Sequence, residues 1–477
     1  MEALILIIGI LYGFIFGVIP VAGATTALIT IYGFISYFYS DPYLLVIFTT
    51  AVVVSSSIGD SFSSIMMNIP GAGGSAATMI DGFPMAKRGE GARALSAAIT
   101  TSTVNGLVWG ALVFFLLPYY SSIVLSFGIP EMLCFLLLAF VSIVFITNQY
   151  WIRGLIALCF GLFLGLVGQD PLTGAARYTL GWNYLEDGIQ LAPLMAGIFA
   201  FPELYESYKS SWVVNETKNK WQQIITGVKD SWTHKWDGLR GGVIGAVIGA
   251  VPGIGGNIAD WLAYGQTIAL NKNEEFGNGN VKGIIGCEGA NNAQKATSYV
   301  PTILFGIPGA PFEVIIISLF AVVGLELGTP ELLLNAQFIN SITSSYMVSI
   351  FLSFFLAIFF IRYATNITKI PFKYYFWSIM ALLLWASVQY TGLWMDYVFF
   401  FLMCALGLIM KKLKLSRAAL VIGFILASKL ESIFLQFTTL YTYDIIIMRP
   451  IALLLFVLIV IGIVYGIFFN KSRINYV

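Results

Sequence analysis

Apolar positions dominate this chain in runs of about 17 to 25 residues, the length a helix needs to cross a bilayer. The runs fall near 3–19, 24–39, 43–59, 96–118, 131–149, 152–168, 185–201, 239–254, 257–270, 281–305, 312–327, 336–361, 376–391, 394–410, 418–436 and 449–469. Hydrophilic loops separate them at Pro84–Arg93, Glu203–Arg240, Asn271–Lys282, Arg362–Lys373 and Lys411–Arg417. Proline and glycine interrupt several runs, so some of these are half-spans or re-entrant pieces, and three spans precede Lys87 if 60–72 is re-entrant. The expected fold is an all-α polytopic membrane protein with broken helices, re-entrant hairpins and about 12 or more membrane segments.

One stretch breaks the apolar pattern. Between Gly283 and Ala310 lie Glu288, Asn291, Asn292, Gln294, Lys295, Thr297 and Ser298, each of which needs a polar partner in hydrocarbon. Gly306-Ile-Pro-Gly follows. Pro308 removes an amide donor and the glycines allow a bend, which predicts a broken helix whose freed backbone groups can hold a ligand.

The same pattern occurs twice. Gly13-x3-Gly17-x2-Pro20-x2-Gly23 has the spacing of Gly245-x3-Gly249-x2-Pro252-x2-Gly255, and Asn68-Ile-Pro-Gly-Ala-Gly matches Gly306-Ile-Pro-Gly-Ala-Pro at nearly the same distance downstream. Two ordered motifs recurring together divide the chain into a first membrane repeat, 1–202, a polar cytoplasmic linker, 203–238, and a second repeat with extra C-terminal spans, 239–477. Lysine and arginine concentrate in four of the five loops, and even numbers of spans return each basic cluster to one side, the cytoplasmic one. No Lys or Arg precedes Lys87. The N-terminus is therefore expected outside and the C-terminus inside, which makes the two repeats inverted, as in many secondary transporters.

Composition confirms the class and excludes others. The chain is 58% hydrophobic and only 10% charged, against roughly 25% charged residues in soluble domains. A net charge of +1 gives no electrostatic basis for nucleic-acid binding. Cys134, Cys159, Cys287 and Cys404 lack metal-type spacing, and the single histidine, His234, lies in a polar loop, so neither a zinc site nor a disulfide framework is legible. No basic residue precedes the first apolar run, which is read as a retained membrane segment. One alternative is an intramembrane enzyme acting on a lipid-linked substrate, which would need paired carboxylates for a metal or a serine or histidine nucleophile pair; one histidine in a loop and no Asp-x-x-x-Asp pair in a span give it little support. A channel or scaffold subunit is the other alternative, distinguished by flux that does not saturate.

Gly249-Ala-Val-Pro-Gly-Ile-Gly, Asn68-Ile-Pro-Gly, Thr78-Met-Ile-Asp-Gly-Phe-Pro-Met-Ala-Lys-Arg-Gly, Glu288-Gly-Ala-Asn-Asn-Ala and Phe305-Gly-Ile-Pro-Gly together resemble the large permease subunit of tripartite tricarboxylate transporters, the TctA family, from about Gly9 to Glu331. The resemblance implies an ion-gradient-driven permease for small carboxylates, a small membrane subunit, an extracytoplasmic solute-binding protein and a plasma-membrane location. The chain departs from the family pattern at Val21, Asp60, Cys287 and Lys295.

The candidate substrate ligands are Asn68, Pro70, Gly71, Ser75, Thr78, Pro252, Gly253, Gly255, Asn291, Asn292, Pro308 and Gly309. The Pro-Gly breaks would expose backbone amides, and a helix N-terminus attracts an anion by about 0.3–1 kcal/mol at a surface and more when partly buried. For Gly73 and Gly74, close helix packing is the competing role. Asn291 and Asn292 suit sodium or a carboxylate equally, and an interhelical hydrogen bond is their structural alternative. Asp60, Asp260, Glu288 and Asn292 are the candidates for coupling to Na+ or H+, since an intramembrane acid is costly unless paired or functional. Lys295 either pairs with Glu288 or another nearby acid, or meets substrate. Asp81, Lys87 and Arg88 are read as a turn that stabilises a hairpin, and Gly423 as an ordinary position in a span. No cofactor is expected; a homo-oligomer is allowed.

Overall fold

A computed structural model describes residues 1–20, 22–69, 73–120, 126–146, 151–170, 174–208, 220–253, 256–367, 372–389 and 392–468. They are almost wholly helical. The first repeat contributes α1 (Glu2–Val18), α2 (Gly23–Ile31), α3 (Pro42–Met67), α4 (Thr78–Lys87) and α5 (Gly91–Leu116). After α6 (Ile129–Val141), α7 (Trp151–Gly165) and α8 (Lys220–Thr233), the series recurs. It runs through α9 (Lys235–Gly249), α10 (Gly256–Leu270), α11 (Val281–Phe305), α12 (Pro311–Val322) and α13 (Ala336–Phe360). The longer C-terminal helices are α14 (Phe372–Gln389), α15 (Met395–Lys412), α16 (Arg417–Leu440) and α17 (Pro450–Phe468). Five described helices, α3, α5, α13, α16 and α17, are long and apolar enough to cross a membrane, and the shorter apolar helices include α1, α6, α7 and α12.

Glycine spacing explains the first contact in each repeat. A Cβ on Gly13 or Gly17 would sit 2.4 or 2.3 Å from the Val52 or Ser56 carbonyl oxygen of α3. In the second repeat, a Cβ on Gly241, Gly245 or Gly249 would sit 2.1, 2.4 or 2.3 Å from the Gly286, Ala290 or Gln294 carbonyl of α11. Without hydrophobic attraction between helices in lipid, backbone approach of this kind is what holds them together. Gly245→Val should therefore prevent stable accumulation of the protein in the membrane. Gly265→Ala, at a helical position with nothing within 4 Å, should leave the thermal midpoint of the purified protein unchanged or slightly higher. Equal losses in both variants would remove the close-approach argument. Gly423 is no ordinary position: its Cβ would meet the Leu158 carbonyl at 2.7 Å, because α16 packs against α7 there.

The repeats run in opposite directions through each other. On α3 and α11, Ser61 meets Glu288, Asp60 meets Lys295 and Thr50 meets Tyr299, so rising numbers on one helix match falling numbers on the other. On α5 and α13, a Cβ at Gly106 would touch Ile350 and one at Gly110 would touch Tyr346, again antiparallel. The helices also exchange partners. α5 lies along α11, with Phe114 and Tyr299 ring centroids 5.6 Å apart, and α13 lies along α3, with Phe62 and Phe360 5.7 Å apart.

Both central helices end in the same way. Asn68 after α3 has φ 55° and ψ 34°, and Gly306 after α11 has φ 60° and ψ 35°. This left-handed conformation costs glycine nothing and asparagine little, which accounts for the one difference between the two x-Ile-Pro-Gly motifs. Of the stretch 60–72, residues 60–67 belong to α3, which continues unbroken to Met67. Ser63 and Ser64 donate to the Asp60 carbonyl inside the helix, so its serines are absorbed without a bend. Only after Met67 does the chain turn back, bringing Thr78 to the level of Glu288. From the opposite end, the chain after Phe305 turns back until Gly309 lies beside Ser298.

The basic loops gather at one end. Arg93 Nε binds Asp230 at 2.7 Å, Gln223 donates to the Gly89 carbonyl at 2.9 Å, Arg88 to that of Gly279 at 2.8 Å and Lys220 to that of Arg362 at 2.8 Å. Lys411 and Arg417 both meet Glu203. Hydrogen bonds from Lys282 and Asn280 hold the Glu274 carboxylate of this end below its ordinary range. Asp81 ties the first hairpin to the same end. Its Oδ1 accepts the Gly277, Gly279 and Asn280 amides, each at 2.8 Å, and its Oδ2 accepts the Tyr264 hydroxyl at 2.9 Å. Asp81, expected in a turn, lies inside α4, and its carboxylate joins that helix to α10 and the α10–α11 loop.

Candidate functional site

The polar stretch of α11 crosses α3 where both helices are most buried. Glu288 is fully buried and its carboxylate accepts three bonds: Ser61 Oγ at 3.1 Å, Thr78 Oγ1 at 2.8 Å and Asn291 Nδ2 at 3.1 Å. Helices α3, α4 and α11 therefore meet on one side chain. Two turns along α11, Lys295 Nζ lies 3.4 Å from Asp60 Oδ2; the lysine side chain is 12% exposed and the aspartate 1%. Asp260 of α10 is buried within the electrostatic reach of Glu288, Lys295 and Asp60.

Three acids thus face one base, and the polar atoms are not all satisfied. Asp60 Oδ1 and Asp260 Oδ1 are buried without a hydrogen-bond partner. A buried, unpartnered carboxylate oxygen is costly. Such oxygens mark places where a proton, a cation or a donor on a ligand can be taken up. No group of three His, Cys, Asp or Glu side chains among the described residues is arranged to hold a metal ion.

The profile of the tripartite tricarboxylate transporter TctA family matches residues 3–422. The chain belongs to this family. It is a component of a tricarboxylate transporter and an integral membrane protein, in a family of transporters and not of enzymes. An uncharacterized 52.8 kDa protein from the TAR-I ttuC' 3' region of Agrobacterium vitis is 27% identical over 432 residues, 89% of this chain and 84% of the relative. A second uncharacterized protein, from the TAR-II ttuC' 3' region of the same organism, is 27% identical over 181 residues, 38% of this chain and 75% of the relative. No solved structure matches the chain.

The structure places the sequence-derived candidates unevenly around the family's polar motif. Asp60, Thr78, Asp260, Glu288 and Asn291 gather at the α3–α11 crossing with Lys295. Ser75 is buried in the turn just before Thr78, whereas Asn68 is exposed at the end of α3. Asn292 points toward α5, where a Cβ on Gly106 would come 2.9 Å from its own, and its amide nitrogen has no partner. Pro252 and Gly253 are buried after α9, and Gly253, with φ 79°, lies against the Ala139 carbonyl of α6. Pro308 and Gly309 precede α12, where the Gly309 amide donates to Glu313. Pro70, Gly71 and Gly255 lie outside the described residues.

Three residues of these surroundings escaped the sequence reading. Ser61 was one serine in a run of six between Ser55 and Ser64, with nothing to single it out. Glu313 and Lys429 did carry a signal, as ionisable residues inside apolar runs.

Proposed function

We propose that this chain is the membrane permease of an uptake system for small di- or tricarboxylates, with substrate held at the α3–α11 crossing and exposed to each side in turn. The observation that carries the reading is the Lys295–Asp60 pair. It joins two antiparallel helices from opposite repeats, is almost closed to solvent, and offers the one ammonium among three acids. A substrate carboxylate entering the crossing exchanges with Asp60 for Lys295, and a charge-assisted bond replaces the one given up. The acid released takes up Na+ or H+, which couples the carboxylate to the ion gradient. Thr78 and Asn291 connect this exchange to the first hairpin through Glu288, so the hairpin responds to what occupies the crossing.

The buried state of all four charged groups fits an occluded member of an alternating-access cycle. The basic end is assigned to the cytoplasm by the positive-inside bias, which leaves the N-terminus outside and the C-terminus inside. The units 1–202 and 239–477, joined by the linker 203–238, then act as the two rocking halves. A small membrane subunit and an extracytoplasmic solute-binding protein are the expected partners. The latter delivers substrate to the outer face.

The test is uptake of labelled mono-, di- and tricarboxylates into vesicles carrying the chain alone and with its partners. Saturable uptake restricted to carboxylates is expected. With Na+ as the coupling ion, external Na+ lowers the half-saturating substrate concentration and a proton gradient alone sustains no accumulation; with H+ the two outcomes are reversed. Non-saturating flux would favour a channel.

A further inference from the structure

The second chain break is already occupied. Glu313, two residues inside α12 and fully buried, turns its carboxylate back over the break. There its Oε2 accepts the Gly309 amide at 2.5 Å, the Ala310 amide at 3.1 Å and the Thr302 hydroxyl at 2.8 Å. Its other oxygen, Oε1, is buried without a hydrogen-bond partner. The opposite lip of the break is held as well: Lys429, from the middle of α16, donates to the Phe305 carbonyl at the end of α11. Each charge has the sign that the adjoining helix end attracts, positive at the carbonyl end and negative at the amide end.

A third Ile-Pro break follows the same rule. In Gly128-Ile-Pro-Glu131, which opens α6, Glu131 Oε2 accepts the Gly128 amide at 2.9 Å while its Oε1 binds Arg449 at 2.6 Å. After Asn68-Ile-Pro, the first acid in the sequence is Asp81, whose two oxygens accept from Tyr264 and the 277–280 loop; Pro70, Gly71 and Ala72 of that break lie outside the described residues.

We propose that Glu313 is a built-in carboxylate ligand of the second break, occupying the donor set that a substrate carboxylate would otherwise take. Gly309 and Ala310 hold the chain's own acid. A foreign carboxylate is excluded from that donor set and left to the Lys295 crossing, a consequence that rests on the permease reading above. Glu313 thereby sets specificity by exclusion, keeping substrate carboxylates from the Gly309 and Ala310 amides.

The inference is tested by chemical rescue of the full chain purified in detergent. Glu313→Ala should lower the thermal midpoint, and formate or acetate should restore it saturably relative to chloride at matched ionic strength. The wild-type protein and Glu313→Gln, whose nests remain filled, should not respond to formate. Absence of rescue in Glu313→Ala, or equal stabilisation of the wild type, would overturn the proposal. Should Glu313→Ala not accumulate, hydrogen exchange in Glu313→Gln decides. Loss of the charge-assisted bonds is expected to speed exchange of the Gly309 and Ala310 amides several-fold over wild type, and unchanged exchange would overturn the proposal. Both readouts are independent of transport, so a chain that moves no carboxylate can still pass them, and an active permease can still fail them.

Discussion

Lys295→Met is expected to abolish carboxylate uptake. The substitution leaves Asp60, 1% exposed, as an unpaired acid in the crossing between α3 and α11. Removing one partner of a buried ion pair costs about 3–5 kcal/mol, equivalent to a hundred-fold or greater change in an equilibrium. Part of that loss is structural. The double variant Asp60→Asn, Lys295→Met has no unpaired charge and should recover most of the thermal midpoint, but it offers substrate no ammonium and should remain inactive. Recovery of uptake together with stability would reduce the pair to a structural tie between the repeats. Lys295→Arg keeps the charge but not the compact, point-like head of lysine, and should retain weak uptake with altered preference among di- and tricarboxylates.

The second large effect is expected at Glu288. Its carboxylate is the shared acceptor of Ser61, Thr78 and Asn291, so alanine there orphans three buried donors at about 1–3 kcal/mol each. The first hairpin is then released from α11. Uptake should fall below detection, and a cysteine introduced at position 78 should react with a soluble maleimide far faster than in the parent. Glu288→Gln keeps an acceptor oxygen and the side-chain shape. It should hold the hairpin in place with uptake reduced, whichever ion is coupled. If alanine and glutamine behave alike in the labelling assay, the carboxylate does not dock the hairpin.

The periodic part of this architecture was open to reading before any coordinates, and the paired part was not. Spacing at Gly13, Gly17, Gly245 and Gly249 shows that helices approach closely, because only glycine admits a carbonyl at such range; it does not say which helix supplies the carbonyl. The x-Ile-Pro-Gly pairs marked both chain breaks, and the Asn68/Gly306 exchange is explained by one backbone conformation. That α11 carries a polar face was plain from Glu288, Asn291 and Lys295. That Lys295 chooses Asp60, 235 residues away, follows from antiparallel crossing of the repeats and has no local signal. Asn292 illustrates the limit well: one residue from Asn291, it is turned some 100° around the helix and faces α5.

Glu313 was hidden for another reason. A proline at the first position of a helix and a glutamate at the third form a common opening, so Pro311-Phe-Glu reads as routine capping. Its meaning appears only when the carboxylate is seen folded back onto the Gly309 and Ala310 amides, as Glu131 is folded onto that of Gly128. The apolar length of α3 misled in the opposite sense, since serines that satisfy themselves within a helix look, in sequence, like the start of a loop.

The account depends on Lys295 receiving a carboxylate at the meeting of the two inverted repeats. Equilibrium binding of a labelled di- or tricarboxylate to the purified chain, wild type against the Asp60→Asn, Lys295→Met double variant, tests it most directly. Saturable binding by the wild type and none by the folded double variant is predicted; equal affinity in the two proteins would contradict it.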